Sequence, residues 1–265
     1  MNVKNLHKKQ DWDNYYIRNF PLEVKNKAGI FTSYDIFICD SLINRYIPKY
    51  QGPKKSQLTL CELGSGDGKL LKKFSKMIRY RPLGIEYSKE AAKLAEKNGI
   101  ETIVGDVFDK KIISKYKNYF DAIFSYGFVE HIIPPDKAIK LHLDLIKPGG
   151  YFIIQIPRFK GFNLLRMRFF RPDLEKNHNL KIMNEDKLEK LCNIKGVRKI
   201  FCGNYGTLKL RIPMYDKSYK YYLLKAICTL DYIINPTLRL LFGDRGFETS
   251  FFSPSVMFIG QKTKS

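Results

Sequence analysis

Cysteine is scarce and unpatterned in this chain. Its five residues, Cys39, Cys61, Cys192, Cys202 and Cys228, are odd in number and form no CxxC pair. That argues against a disulfide framework or a cysteine-built zinc site and fits a reducing, cytoplasmic setting. Long uncharged apolar runs are missing too. The most apolar late segment, Tyr222 to Phe242, is interrupted by Lys225, Asp231, Pro236 and Arg239, whereas a spanning helix needs about 20 residues with few or no charges. No apolar stretch follows the charges of Met1 to Lys9, so a signal peptide is not expected. Internal repeats and low-complexity linkers are lacking.

Acids are also few, 26 against 47 lysines and arginines, which leaves a formal charge of +21. Such a charge suits a nucleic-acid partner. It equally suits an A/T-rich genome, since Lys, Asn, Ile, Tyr and Phe are all plentiful and the lysines are spread along the chain. Two windows hold cations and no acid. One carries Arg158, Lys160, Arg166, Arg168 and Arg171; the other carries Lys195, Arg198, Lys199, Lys209 and Arg211. A chain of 265 residues that is 44% hydrophobic can bury a real core in one large domain or two small ones.

Periodicity predicts alternating strands and helices. Strands are expected at Leu58 to Leu63, Pro82 to Tyr87, Ile100 to Val104, Phe120 to Ser125 and Tyr151 to Ile156. Between them lie helical patterns at Lys69 to Ile78, at Lys89 to Lys97 behind a Ser88 cap, and at Asp136 to Ile146, closed by Pro148-Gly149-Gly150. Such alternation means βαβ units and a mainly parallel sheet covered on both faces. Ligands bind beyond the carboxyl ends of the strands in such sheets. Later come a helix from Asn184 through Cys192, a strand at Val197 to Cys202, a helical block from Tyr219 to Leu241 broken at Pro236, and a strand near Ser255 to Gln261. Residues 1–50 read as a helical cover or lid over a domain spanning 51–265.

The stretch Glu62-Leu63-Gly64-Ser65-Gly66-Asp67-Gly68 follows the first strand. Glycines there permit a tight turn and close approach of a ligand to the backbone. Position 69 is Lys, so the spacing is GxGxG and not the dinucleotide GxGxxG, and Gly68-Lys69-Leu70 is no Walker loop. Glu62, just before the turn, would repel a pyrophosphate but suits a cation. Glu86, ending the second strand, can accept hydrogen bonds from ribose hydroxyls. Asp106, after the third, can accept from an adenine amine. A phosphate-free ligand with an ammonium, a ribose and an adenine satisfies all three, and S-adenosylmethionine is such a ligand.

With Gly84-Ile85-Glu86-Tyr87-Ser88, Gly105-Asp106-Val107, Phe120 to Ile132 and Leu145 to Tyr151, these pieces occur in order over residues 58–156. They resemble the class I S-adenosylmethionine-dependent methyltransferases, near the broad small-molecule group. The resemblance implies a Rossmann-like α/β fold: a seven-stranded, mainly parallel sheet with helices on both faces and the last strand antiparallel. It implies that Glu62, Gly64, Ser65 and Gly66 line the methionine end, that Glu86 meets the ribose, that Asp106 and Val107 meet the adenine with Tyr87 on its face, and that Ser125 and Tyr126 sit beside the sulfonium. Trp12 is placed in a lid. The acceptor pocket is then expected from the N-terminal segment and from insertions at 158–183 and 211–252, which hold or adjoin both basic windows.

Methyl transfer from a sulfonium needs alignment and exclusion of water, and an oxygen acceptor must also lose a proton. His131, beyond the fourth strand, and His178, before the helix at Asn184, are the candidate bases. No cluster of carboxylates for a metal is evident in the sequence, so no metal is expected. The mixture of apolar and cationic residues from Gly161 to Arg171 suits an anionic amphiphile, such as a lipid-linked or phosphorylated acceptor at a membrane face. The expected activity is O-methylation of a small molecule. Two alternatives stay open: an RNA methyltransferase, for which no separate RNA-binding module is present, and a non-catalytic cofactor-binding subunit that activates a partner.

Overall fold

A computed structural model describes residues 3–17, 29–214 and 216–264; the part of the N-terminal cover at 18–28, and Tyr215 in the second insertion, lie outside the described residues. Seven strands form one sheet: β1 (Thr59–Leu63), β2 (Arg81–Glu86), β3 (Thr102–Val104), β4 (Phe120–Tyr126), β5 (Ile146–Pro157), β6 (Val197–Tyr205) and β7 (Ser255–Lys262). Their spatial order is β3-β2-β1-β4-β5-β7-β6. Neighbours from β3 to β5 pair in parallel, and β7 runs antiparallel to both β5 and β6. Strand order therefore reverses between β1 and β4, where the rule for open sheets places a ligand.

The helices form because apolar spacing gives each a face to bury. Helix α1 spans Lys9–Ile17, α2 Tyr34–Tyr46, α3 Lys69–Ile78, α4 Lys89–Lys97, α5 Lys110–Tyr116 and α6 Asp136–Leu145. The Ser88 hydroxyl accepts from the Ala91 N–H and caps α4 as its sequence suggests. In α3, Leu71, Phe74 and Ile78 face the sheet; they share one apolar cluster with Ile38, Leu42 and Ile43 of α2 and with Leu60, Phe124 and Met257. The other face of the sheet packs Ile123, Phe152, Ile154 and Phe258 against Ile139, Leu145 and Leu188.

Later come α7 (Phe162–Phe170), α8 (Glu185–Cys192), α9 (Tyr219–Ile227) and α10 (Asp231–Phe242). Two expectations need correction. The helical block does not break at Pro236, which lies inside α10; the chain tightens instead into a 3-10 turn at Cys228–Leu230. A proline in that second turn removes one N–H from the ladder without ending the helix. Strand β5 does not start at Tyr151 either. Pairing of Phe120 with Ile146 extends it back through the Pro-Gly-Gly stretch, with an irregularity in register before Ala122.

Candidate active site

The carboxyl ends of β1, β2, β4 and β5 open into a cavity of about 400 Å³. Gly64, Glu86, Tyr87, Tyr126, Gln155 and Pro157 reach it from the sheet, and Trp12, Tyr15 and Tyr16 of α1 cover it. A larger hollow of about 490 Å³ opens near the start of β2 between Tyr50, Lys72 and Pro82 and carries none of the predicted acids.

The glycine turn supplies the first part of the site. Gly64, Gly66 and Gly68 all have positive φ, at 70°, 53° and 71°, which other residues reach only with strain. The Gly66 N–H donates to the Glu86 carboxylate at 2.8 Å, and the Ser88 N–H donates to its other oxygen at 2.7 Å. Glu86 thus fastens the turn to β2 while its residue faces the cavity. Glu62 is buried, and its Oε2 has no hydrogen-bond partner. Burial, then the charges of Glu86 and Asp67, push its carboxyl well above the usual carboxylate range. The same surroundings, burial first and Glu86 next, raise the Tyr16 hydroxyl well above its ordinary value. That hydroxyl lies over the turn: a Cβ on Gly66 would come within 2.5 Å of it. Glu62 and Gly66 do not themselves line the cavity, whereas Glu86 and Gly64 do. The orphaned buried carboxylate oxygen of Glu62, within reach of the Glu86 charge, fits a cationic ligand, and the glycine turn fits one that approaches the backbone closely.

Several expected contacts lie elsewhere. Ser65 and Val107 are buried beside the strands and do not line the cavity. Asp106 is exposed, and its carboxylate accepts from the Phe108 N–H in a local turn. Ser125 is also turned away from the cavity. Side chains alternate along β4, so Tyr126 reaches the cavity while the Ser125 hydroxyl bonds His142 Nε2 at 3.1 Å on the α6 side.

At the other end the two candidate bases meet, with His131 and His178 ring centroids 4.5 Å apart. Trp12 packs edge-on to His131 at 5.5 Å, and His7 at 4.9 Å. His131 Nδ1 lies 2.7 Å from the Asn177 carbonyl and His178 Nδ1 lies 2.7 Å from the Leu174 carbonyl. A carbonyl only accepts, so each Nδ1 carries the hydrogen and each Nε2 keeps its lone pair. Burial holds the two imidazoles down to about 3 and about 4, and pushes the neighbouring Glu130 up to about 8. Neither carboxylate oxygen of Glu130 has a hydrogen-bond partner.

A cationic wall completes the cavity. Arg166 and Arg171 come from the first basic window, and Lys209 and Arg211 from the second. Arg171 pairs with Asp173, Arg211 with Asp231 and Lys209 with Asp35. Arg166 differs. Among the described residues no carboxylate pairs with it, its Nε is unpartnered, and one Nη donates to the Arg211 carbonyl. Burial lowers it to about 10 against the opposing charge of Asp35, so it stays charged at neutral pH. Glu130, Tyr16 and the singular state of Arg166 were not picked out from sequence. Glu130 was within reach, since it adjoins His131; Arg166 was one cation among five.

Sheet order, the glycine turn and the carboxylates at the ends of β1 and β2 together define a class I S-adenosylmethionine-dependent methyltransferase. Residues 33–198 match the model of a methyltransferase domain family, and the chain belongs to that family. A curated relative, "Uncharacterized protein MJ1123" of Methanocaldococcus jannaschii, is 32% identical over 114 residues; the match covers 43% of this chain and about half, 48%, of that protein. The putative methyltransferase solved in complex with the Trm112 methyltransferase activator of Haloferax volcanii is 12% identical, with a TM-score of 0.58 over 99% of this chain and 100% of that one. Phosphoethanolamine N-methyltransferase 2 of Haemonchus contortus, solved with phosphomonomethylethanolamine and S-adenosylhomocysteine, is 16% identical, with a TM-score of 0.59 over 97% of this chain and 61% of that one. At such identities these two structures show a shared fold.

Proposed function

We propose that the protein methylates a small acceptor bearing an anionic group, using S-adenosylmethionine. The observation that carries this is Arg166, a buried guanidinium facing the cavity that forms no direct ion pair among the described residues; Asp35, whose charge acts on it, is already paired with Lys209. A buried charge without a direct partner is costly until one arrives. A phosphate or carboxylate of the acceptor supplies that partner and brings the acceptor's other end towards His131, His178 and Glu130. The Haemonchus neighbour, solved with a phosphate-bearing ligand, agrees in kind.

Glu62 and Glu86 hold the cofactor's ammonium and ribose, the glycine turn lies along its methionine part, and Tyr87 packs beside its adenine. The cofactor supplies a methyl on a cationic sulfur. With the cofactor bound, an acceptor hydroxyl would give up its proton at the histidine end as its oxygen takes the methyl, the C–S electron pair remaining on sulfur. The cover of Trp12, Tyr15 and Tyr16 excludes water.

An exposed apolar face on α7, α9 and α10 narrows the acceptor class. Met167 and Phe170 of α7 pack against Leu224 of α9, while Leu165, Phe169, Tyr222 and Leu223 remain exposed. Ile233 and Leu240 of α10 are 68% and 85% exposed. Lys217, Lys220, Lys225 and Arg239 flank these residues, and the one acid from 217 to 243, Asp231, is buried against Arg211. An apolar, cationic face suits an anionic lipid surface and hence a lipid-linked acceptor. No helix among the described residues is long and apolar enough to cross a membrane.

Incubation with methyl-labelled cofactor and separate metabolite, lipid and RNA extracts tests this reading. Label should enter an anionic lipid or metabolite. Arg166→Gln should raise KM about 10-fold or more, the worth of a charge-assisted hydrogen bond. Label confined to RNA would overturn it.

A further inference from the structure

Glu130, His131 and His178 each offer one ligand atom, and these three atoms lie within 4.8 Å of one another. His131 Nε2 is 3.9 Å from Glu130 Oε1. Two metal–ligand bonds of about 2.1 Å span at most about 4.2 Å, so this pair can already share an ion, and a small side-chain rotation brings in the third atom. Both imidazoles are fixed by Nδ1–H donation to backbone carbonyls, with Nε2 free; histidines that bind metals are held in this way. Glu130 is 1% exposed and both of its oxygens lack partners. A buried carboxyl without a hydrogen-bond partner, next to two imidazole nitrogens with free lone pairs, is a ligand set that a cation would complete. All three residues line the cavity, and none belongs to the set assigned to the cofactor.

We infer that Glu130, His131 and His178 form a binding site for one divalent transition-metal ion at the acceptor end of the cavity. Two nitrogens and one carboxylate are a borderline donor set, suited to Zn²⁺, Fe²⁺, Mn²⁺ or Co²⁺ and poor for Mg²⁺ or Ca²⁺, which prefer all-oxygen shells. Three protein ligands leave coordination positions open towards the cavity, as sites that act on a substrate require. An ion there would draw in an acceptor hydroxyl and ease loss of its proton. This places the proton-removing step on the cluster as a unit and in that respect rests on the methyltransferase reading above.

The test uses full-length protein stripped with a chelator and titrated with Co²⁺, whose visible absorption reports its coordination, and with Zn²⁺ against a chromophoric competitor. One ion per chain is expected. Glu130→Gln and His178→Asn should each weaken binding at least ~10-fold, and Zn²⁺ should raise the melting temperature of the wild type but not of either variant. Calorimetry with S-adenosylhomocysteine on the same samples serves as the check on folding and on the cofactor site. Cofactor binding without metal binding by the wild type, or variants that bind Co²⁺ as the wild type does, would overturn the metal site and leave the methyltransferase reading standing. Metal binding without cofactor binding would support the ion and overturn that reading instead.

Discussion

Single buried polar groups decide most of the chemistry at the residue scale. Burial and the neighbouring acids hold the Glu62 carboxyl well above the usual carboxylate range, and pairing with the cofactor's ammonium requires it to ionise. Cofactor affinity is therefore expected to rise with pH above that range, and Glu62→Gln should abolish the rise and cost about 10-fold in affinity, both read by calorimetry. His142 acts on stability rather than on the ligand. It is fully buried, its Nδ1 lies 2.7 Å from the Ala138 carbonyl, its Nε2 meets Ser125, and burial holds it down to about 4. A histidine with a depressed folded pKa contributes stability that is present above the unfolded value of about 6.5 and is lost as pH falls. Urea unfolding should show stability dropping from pH 6.5 towards 4. His142→Gln should flatten that slope by about one proton, or about 1.4 kcal/mol per pH unit. An unchanged slope would mean that the imidazole titrates freely.

Helices α1, α9 and α10 carry the predictions that belong to the element scale. Helix α1 is tied to the cofactor region by a hydrogen bond from the Ser88 hydroxyl to Asp13 at 2.7 Å and by Tyr16 over Gly66. Gly66→Ala would place a Cβ against that hydroxyl at a φ of +53°. Loss of cofactor affinity is expected with little change in the melting temperature, because α1 can lift from the turn; a large drop in the melting temperature would show that α1 is part of the core. Helices α9 and α10 are the expected lipid-facing pair. The protein should sediment with phosphatidylglycerol vesicles at low salt and not with phosphatidylcholine vesicles, and Ile233→Glu with Leu240→Glu should release it. Equal binding to both vesicle types would remove the role given to the lysines.

For the molecule as a whole, the parallel half of the sheet was legible because each strand ends in a punctuated motif. Glu62 before the glycine turn, Glu86 at the end of β2 and the Ser88 cap are local signals, and the structure places the strands and α4 around them. Side-chain direction was less legible. Ser125 and Tyr126 are adjacent in sequence, yet a one-residue step on a strand sends one to α6 and the other to the cavity. Meetings over long separations were not legible at all. His131 and His178 were separate candidates, and only the path of the chain after β5 brings them together beside Glu130. The charge of +21 likewise resolved only in three dimensions, where four of ten windowed cations face the cavity and three of those are paired with acids.

Titration calorimetry with S-adenosylhomocysteine probes the central claim, that acids at the ends of β1 and β2 hold a phosphate-free nucleoside. The account predicts one site per chain, weakened by Glu62→Gln and by Glu86→Gln. No heat with that nucleoside, together with tight binding of a nicotinamide dinucleotide, would contradict it.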